Sequence, residues 1–204
     1  MLVQVLAKIL FFKKGGQYPE ALNEIQKASK QILGIELEIF RKLSDFQIID
    51  FLSLDVSLGI PKCYAAGILL KEEAEILDLQ GKAAESIDAR LKSLSLLTEA
   101  AIEKGNPLDS DHASAVDVVA GKLNEVDLPV HIHKKLFRFY ELVREFGKAE
   151  DVLFGILEKE PSFVEEGILF YERLKKKSDK ELTEGNLSRK EIEESLVKLQ
   201  RMKQ

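Results

Sequence analysis

The spacing of apolar residues most limits what this chain of 204 residues can fold into. Apolar side chains recur every three or four positions, whereas the alternation typical of a half-buried β-strand is nearly missing. Leu, Ile, Ala, Glu and Lys dominate, and these residues favour or tolerate a helical backbone. The five prolines and twelve glycines stand between the periodic stretches. The sequence therefore predicts an all-α fold of about ten helices joined by short turns.

Several helix starts are marked by a serine followed three residues later by Glu or Gln, the pattern of a capping box. This pattern occurs at Ser44–Gln47, Ser162–Glu165 and Ser188–Glu191, and we expect a helix to begin after each serine. The segment 178–187 is polar, and we interpret it as a loop.

A short pattern that contains glycine recurs between predicted helices. Its three copies are Gly16–Leu22, Gly81–Ile87 and Gly147–Leu153. In each copy a glycine and a polar residue are followed by a packing residue and then by a new helix. The glycines are 65 and 66 positions apart, close to twice the length of a helix-pair repeat. The spacing predicts repeated helical hairpins.

The first copy resembles the tetratricopeptide repeat, whose hairpin turn reads Gly, a polar residue, Tyr, two variable residues and Ala. Gly16, Tyr18 and Ala21 match this turn, while Ala83 and Ala149 replace the aromatic residue in the other copies. The resemblance implies a right-handed α-solenoid of antiparallel helix pairs that binds a protein or peptide and catalyses no reaction. The chain is also similar to a bacterial family of about this length with no assigned biochemical role.

The physics of a helical hairpin favours the same architecture independently. One hairpin cannot bury both of its faces, whereas hairpins stacked side by side bury a continuous core and leave one curved surface open. We therefore expect a single domain over residues 1–204. Its weakest point is expected near residues 54–60, where the apolar pattern loosens.

Composition argues against several classes of partner. The net charge of −5 disfavours general nucleic-acid binding, which usually needs a basic face. Apolar runs stay well below the length that a membrane-spanning helix needs, and the apolar start lacks the charge order of a secretory signal. The single cysteine cannot form an intrachain disulfide, which fits a reducing compartment. We expect a cytoplasmic protein that binds neither nucleic acid nor a membrane.

Residue types that carry chemistry are not arranged for catalysis. His131 and His133 are two positions apart, whereas a metal-binding pair on a helix uses a spacing of three or four. Cys63 lies on an apolar helix face with Leu70 and Leu77, so we interpret it as a buried structural thiol. We expect no catalytic, metal-binding or cofactor-binding residue, and therefore no enzymatic activity.

The remaining charged clusters are interpreted as solvated surface. Adjacent carboxylates occur at Glu72-Glu73, Glu165-Glu166 and Glu193-Glu194 beside Lys and Arg, whereas catalytic pairs need a desolvated cleft. The basic run 175–177 is expected at the end of a helix, where cations complement the helix dipole. His112 is expected to be solvated in the first turn of a helix.

Lys134 and Arg138 are the predicted partner-binding residues. They are one helical turn apart and share a face. In tetratricopeptide domains that hold a terminal carboxylate, a Lys and an Arg of a first helix do the holding, and counting back from Gly147 reaches these two residues. Other members of that clamp are replaced, by Leu6, Leu10 and Glu72. The resemblance therefore implies a mildly basic patch, and the alternative is a pair of solvated charges.

The first helix suggests a different function. It is apolar on almost every side, whereas an isolated membrane-surface helix would carry a wide polar face. We expect neighbouring helices or a second subunit to cover it. The alternative to a protein-binding scaffold is therefore a structural module that forms a homodimer through an apolar terminal helix.

Overall fold

The computed structural model describes residues 2–55, 59–104 and 110–203. These residues form helices and no β-strand, which confirms the all-α prediction. The α-helices in these ranges are α1 (Leu2–Lys14), α2 (Tyr18–Ala28), α3 (Leu37–Lys42), α4 (Asp45–Ser53), α5 (Gly59–Leu79), α6 (Ala83–Lys104), α7 (Ser110–Gly121), α8 (Val130–Leu142), α9 (Phe146–Lys159), α10 (Val164–Leu174), α11 (Asp179–Glu184) and α12 (Arg189–Met202). Within the described ranges, every helix is too short or too polar to cross a lipid bilayer.

Two compact units make up the chain, Met1–Asp127 and Leu128–Gln204. The first unit holds α1–α7 and the second holds α8–α12. The weak point predicted near residues 54–60 falls inside the first unit, and residues 56–58 lie outside the described part of the chain. A single domain over residues 1–204 stays a prediction.

The long helices α5 and α6 form the centre of the first unit and approach each other closely. A Cβ at Gly67 would lie 2.7 Å from Cγ of Leu97, so only glycine fits at this contact. The Ser93 hydroxyl donates to the carbonyl oxygen of Gly67 over 2.7 Å, and the Ser86 hydroxyl donates to that of Ala74 over 2.9 Å. Small residues and these two hydroxyls therefore join the two helices directly.

Helices α1–α4 pack around this pair. Their buried apolar residues join those of α5 and α6 in one cluster, which includes Ile9, Ile25, Phe40, Ile48, Leu52, Leu69, Ile76 and Leu96. A π-helical turn, Ser29–Leu33, continues α2, and Gly34 ends it with a φ of 78°. A glycine adopts this left-handed conformation without the steric cost that a Cβ would add.

Aromatic residues share the core of the second unit with buried aliphatic side chains such as Leu153 and Ile192. The ring of Phe137 on α8 meets that of Phe170 on α10 edge to face, with centroids 5.2 Å apart. Phe139, Phe146 and Tyr171 are almost fully buried in the same unit. Helix α8 pairs with α9, and α10 pairs with α12.

Three hairpin turns share one backbone geometry. Gly16, Gly81 and Arg144 have φ values of 70°, 75° and 65°, in the left-handed region. The residue after each donates its N–H to the carbonyl five positions earlier, as in a Schellman helix end. These bonds run from Gln17 to Phe12, from Lys82 to Leu77 and from Glu145 to Tyr140, each over 2.9 Å.

The third turn lies three residues before the predicted one. Gly147 was expected to separate two helices, but it lies inside α9, and Arg144 occupies the left-handed position. The backbone angles of Glu145, φ −84° and ψ 65°, nearly repeat those of Gln17, φ −87° and ψ 63°. Phe146 thus takes the place of Tyr18, and the prediction that Ala149 takes it is wrong.

Two of the three predicted capping boxes are confirmed, at Ser44 and Ser188. The box predicted at Ser162 is wrong, because a 3-10 turn, Pro161–Phe163, leads into α10 without a side-chain cap. The segment 178–187 is not a loop throughout, since it contains α11, which Ser178 caps reciprocally with Glu181.

The shared turn geometry can be tested by exchanging residues at the left-handed position. We expect Gly81→Ala to lower the free energy of unfolding by about 1 kcal/mol, because a Cβ is disfavoured at positive φ. Arg144→Gly should raise it by up to about 1 kcal/mol for the same reason. The Arg144 ion pair with Glu181 is exposed and adds little. Urea denaturation measures both changes.

Gly155→Ala is the matched control, because Gly155 lies inside α9 with negative φ and open space around its Cα. This change should be neutral or should stabilise by up to about 1 kcal/mol. An Arg144→Gly protein less stable than the natural one would contradict the third turn.

Candidate functional site

A cleft of about 370 Å³ in the first unit combines apolar walls with charged groups, and we name it the α5–α6 cleft. Its apolar wall consists of Leu70, Leu77, Ala84 and Ala89. Its charged groups are Arg41 from α3, Glu73 from α5, and Glu85, Asp88 and Lys92 from α6. The cleft therefore depends on the α5–α6 hairpin together with the end of α3.

Hydrogen bonds of Arg41 and Lys92 hold these three helices together at the cleft. The Glu73 side chain has no exposed surface, and its Oε1 accepts a bond of 2.6 Å from Nε of Arg41 and a second, shorter bond from the same guanidinium. Lys92 Nζ donates to the backbone oxygen of Arg41 and to Oδ2 of Asp88, each over 2.8 Å. The Arg41 side chain remains about half exposed at 48%.

The second carboxylate oxygen of Glu73, Oε2, is buried and has no hydrogen-bond partner among the described residues. Such an oxygen costs about 1–3 kcal/mol when its lost hydration is not replaced. Burial raises the pKa of Glu73 above its ordinary value, against the opposing effect of the Arg41 and Lys92 charges. The cleft thus contains a carboxyl group whose hydrogen bonding is incomplete.

The interpretation of Glu72-Glu73 as solvated surface is wrong. Glu73 is fully buried, and the Glu72 side chain is only 13% exposed. A signal was present in the sequence, because Lys71, Glu75 and Asp78 have the spacing of one polar face of α5, and Glu73 lies on the opposite side of the helix. The buried neighbours Leu69 and Ile76 lie at helical spacing on either side of it.

A second charged cluster, between α1 and α5, is fully compensated. Lys13 Nζ lies 2.6 Å from Oε2 of Glu72 and also bonds Glu75, while Lys71 Nζ lies 2.8 Å from Oε1 of Glu72. Burial opposes the charge on Lys13, but its hydrogen bonds to the two glutamates leave its pKa above the ordinary value. We interpret this cluster as a structural contact.

The predicted partner-binding residues both lie on α8, in the second unit. Lys134 Nζ is 2.7 Å from Oε2 of Glu160 and lies over the Phe163 ring, 5.1 Å from its centroid. Arg138 is exposed. A partner could reach Arg138 directly, whereas Lys134 would have to exchange its contact with Glu160.

The corrected third turn changes the count that selected these two residues. The count began at Gly147, but the residue equivalent to Gly16 is Arg144. The same count from Arg144 reaches His131 and Lys135. The selection of Lys134 and Arg138 therefore rests on their shared helix face and on the exposure of Arg138.

The other predicted chemical groups have mixed outcomes. Burial of Cys63 is confirmed, since the residue is 3% exposed. His112 is not fully solvated, because it is half-buried and its ring lies 3.9 Å from that of Tyr64 between centroids. A mostly apolar cleft of about 680 Å³ adjoins these two rings. The described ranges contain no group of three His, Cys, Asp or Glu side chains arranged to hold a metal ion.

A model of a protein family described as a family of unknown function (DUF6483) matches residues 1–204. Comparison with curated proteins and with solved structures gave no significant match. The family match covers both compact units, and it is consistent with the expected similarity to a bacterial family that has no assigned role.

The buried carboxyl group of Glu73 should make stability depend on pH. Because its pKa is raised in the folded protein, it contributes stability below its ordinary value of 4.5, and this contribution is lost as the pH rises through the raised pKa. As the pH increases from 4.5 through the raised pKa of Glu73, we expect the free energy of unfolding of the natural protein to decrease relative to that of Glu73→Gln. Urea denaturation at a series of pH values measures the difference.

Glu85→Gln is the matched control, since Glu85 lines the same cleft but is exposed. We expect the difference for Glu73→Gln to vary with pH more than the difference for Glu85→Gln, because Glu73 is buried and Glu85 is exposed. A pH-independent difference for Glu73→Gln would show that burial does not shift the titration of this group.

Proposed function

We propose that this chain, which belongs to that family of unknown function, is a non-enzymatic scaffold that binds a protein or peptide on the open surface of stacked helical hairpins. The observation that carries the proposal is the hairpin turn at Gly16, Gly81 and Arg144, repeated with the same hydrogen bonds. Repeated hairpins of this kind are the units of an α-solenoid, whose exposed face is free to bind a partner.

The residues after each turn support the proposal further. Ala21, Ser86 and Ala149 each lie five positions after the left-handed residue of their turn, and all three have no exposed surface. Each donates its N–H over 3.0 Å to the carbonyl of the polar turn residue four positions earlier. With Arg144 in the glycine place, the third copy has an aromatic residue, Phe146, followed by Ala149, as the tetratricopeptide turn has. The match is therefore better than the sequence alone suggested.

We place the partner-binding surface on α8, the first helix of its hairpin, around Lys134 and Arg138. The two side chains are separated by one turn, and both are cationic. Such a pair suits an acidic segment or a terminal carboxylate, because guanidinium and ammonium groups bind carboxylates through charge-assisted hydrogen bonds.

The test is affinity capture of the tagged full chain from its native cells, with the bound proteins quantified by mass spectrometry. We expect Lys134→Glu combined with Arg138→Glu to reduce capture of a specific partner by at least about tenfold, because each change repels a carboxylate. Arg138→Glu alone alters an exposed residue, so it keeps the test informative if the double variant is unstable.

Lys180→Glu combined with Lys190→Glu is the matched control. It makes the same charge change in the second unit at side chains that are 84% and 85% exposed. Capture should be retained in this control. Equal capture by all of these variants would refute the placement around Lys134 and Arg138. If capture is lost with a further variant, Lys135→Glu, the surface lies one position farther along α8. If no protein is captured specifically, the scaffold proposal fails.

A second candidate function is homodimer formation through α1. Val3, Leu10 and Phe11 are 79%, 44% and 70% exposed and lie within one face of the helix. Ile9 is the buried residue of α1 in the described chain. An apolar face of this kind favours association with another apolar surface.

This candidate predicts the oligomeric state. We expect light scattering after size-exclusion chromatography to give the mass of a dimer for the natural chain, and that of a monomer for Val3→Lys combined with Phe11→Lys. Val118→Lys combined with Leu169→Lys is the control, since those side chains are 47% and 53% exposed on other helices. A natural chain that remains monomeric at high concentration would rule the candidate out.

A further inference from the structure

The unpartnered oxygen of Glu73 determines which kind of ligand would complete the hydrogen bonding of the α5–α6 cleft. Oε1 accepts both hydrogen bonds from Arg41, while Oε2 accepts none from the described residues. An ionised carboxylate only accepts hydrogen bonds, so the group that completes this site has to be a donor. A ligand with an N–H group would meet that requirement.

The charges around the cleft favour a cationic donor over a neutral one. Arg41 pairs with Glu73, and Lys92 pairs with Asp88, which leaves Glu85 as a carboxylate in excess at the exposed edge. An anion would be repelled by these three carboxylates. A divalent cation would need several oxygen ligands at once, and the Arg41 and Lys92 charges would oppose it. A ligand with a single positive charge best matches the one carboxylate in excess.

The apolar wall determines what the cation must be attached to. The methyl groups of Leu70, Leu77, Ala84 and Ala89 form one side of the cleft, where they can cover a chain of methylene groups. The volume of about 370 Å³ leaves room for a short aliphatic chain that ends in a small head group. Arg41, about half exposed, is the side chain that can move to admit it.

We propose that the α5–α6 cleft binds a primary ammonium group on an aliphatic stem, with the ammonium donating to Oε2 of Glu73. The stem packs against Leu70 and Leu77, and the exposed carboxylate of Glu85 attracts the cation to the entrance. This site does not depend on the scaffold proposal, because Glu73 belongs to the first unit and Lys134 and Arg138 belong to the second.

Two sources supply the same chemical group, a lysine side chain of a peptide and a free alkylamine. The test is a titration of the isotope-labelled full chain, followed by amide chemical shifts in NMR spectra. The probes are n-butylammonium, Nα-acetyl-lysine methylamide and, as the uncharged control of equal length, n-butanol. We expect saturable shifts in α5 and α6 for the two amines, with dissociation constants in the millimolar range, and binding of n-butanol weaker by at least about tenfold.

The relative affinities of the two amines distinguish the sources. Tighter binding of the lysine derivative indicates a peptide side chain, and tighter binding of n-butylammonium indicates a free amine. Either order supports the site. Equal binding of n-butanol would overturn the proposal, since the charge would then contribute nothing, and so would an absence of saturable shifts.

Variants locate the binding to the cleft. Glu73→Gln keeps an oxygen for Arg41 but removes the charge, and it should weaken n-butylammonium binding by at least about tenfold, whereas Glu85→Gln should weaken it by about two- to threefold. If Glu73→Gln does not fold, Ala84→Lys decides, because Ala84 is an exposed wall residue and a tethered ammonium there should compete with the probe. Unchanged binding in a folded Glu73→Gln protein, or in Ala84→Lys, would overturn the assignment.

The second unit supplies the comparison with the scaffold proposal. Lys134→Glu combined with Arg138→Glu should leave n-butylammonium binding unchanged. If this variant loses partner capture but still binds n-butylammonium, the two functions are separate. If the natural chain does not bind n-butylammonium but still captures the partner, the ammonium site is refuted and the scaffold proposal is not affected.

Discussion

The close contact of α5 and α6 at Gly67 is the constraint on which the first unit depends. Leu97 occupies the space that a side chain at position 67 would need, and the Ser93 hydroxyl bonds the Gly67 carbonyl directly. Because the helices are held this close, the side chain of Glu73, less than two turns farther along α5, has no exposed surface. Arg41 of α3 bonds its carboxylate directly, and the charge of Lys92 on α6 adds to the compensation. The cleft is thus a consequence of how the central hairpin packs.

Local chemistry explains which parts of the fold could be predicted from the sequence. A capping box is decided within four residues, and those at Ser44 and Ser188 form as expected. Ser162 follows the same pattern but comes directly after Pro161, and its hydroxyl lies 3.4 Å from the Glu160 carboxylate instead of capping a helix. At Ser178 the pattern was present, but the polarity of the segment concealed it, although Leu182 is buried.

The third hairpin turn shows why glycine alone is an ambiguous marker. Arg144 adopts the left-handed conformation that the other two turns assign to glycine. Gly147 is needed for a different reason, because a Cβ at this position would lie 2.7 Å from the carbonyl oxygen of Asn186. Its N–H donates to the carbonyl oxygen of Gly185 over 2.9 Å. One glycine supplies backbone freedom and another supplies room for a neighbouring chain segment. Only the folded second unit distinguishes the two roles.

The same limit applies to the sites. Lys134 and Arg138 could be selected from their spacing, because a helix brings them to one face whatever surrounds it. The cleft could not, because Arg41 and Glu73 are 32 positions apart and meet only when α3 packs on α5. A buried ion pair with one oxygen left without a bond is less favourable than an apolar side chain of similar volume. The places where a sequence departs from what stability alone favours are those where function is expected, which directs attention to Glu73.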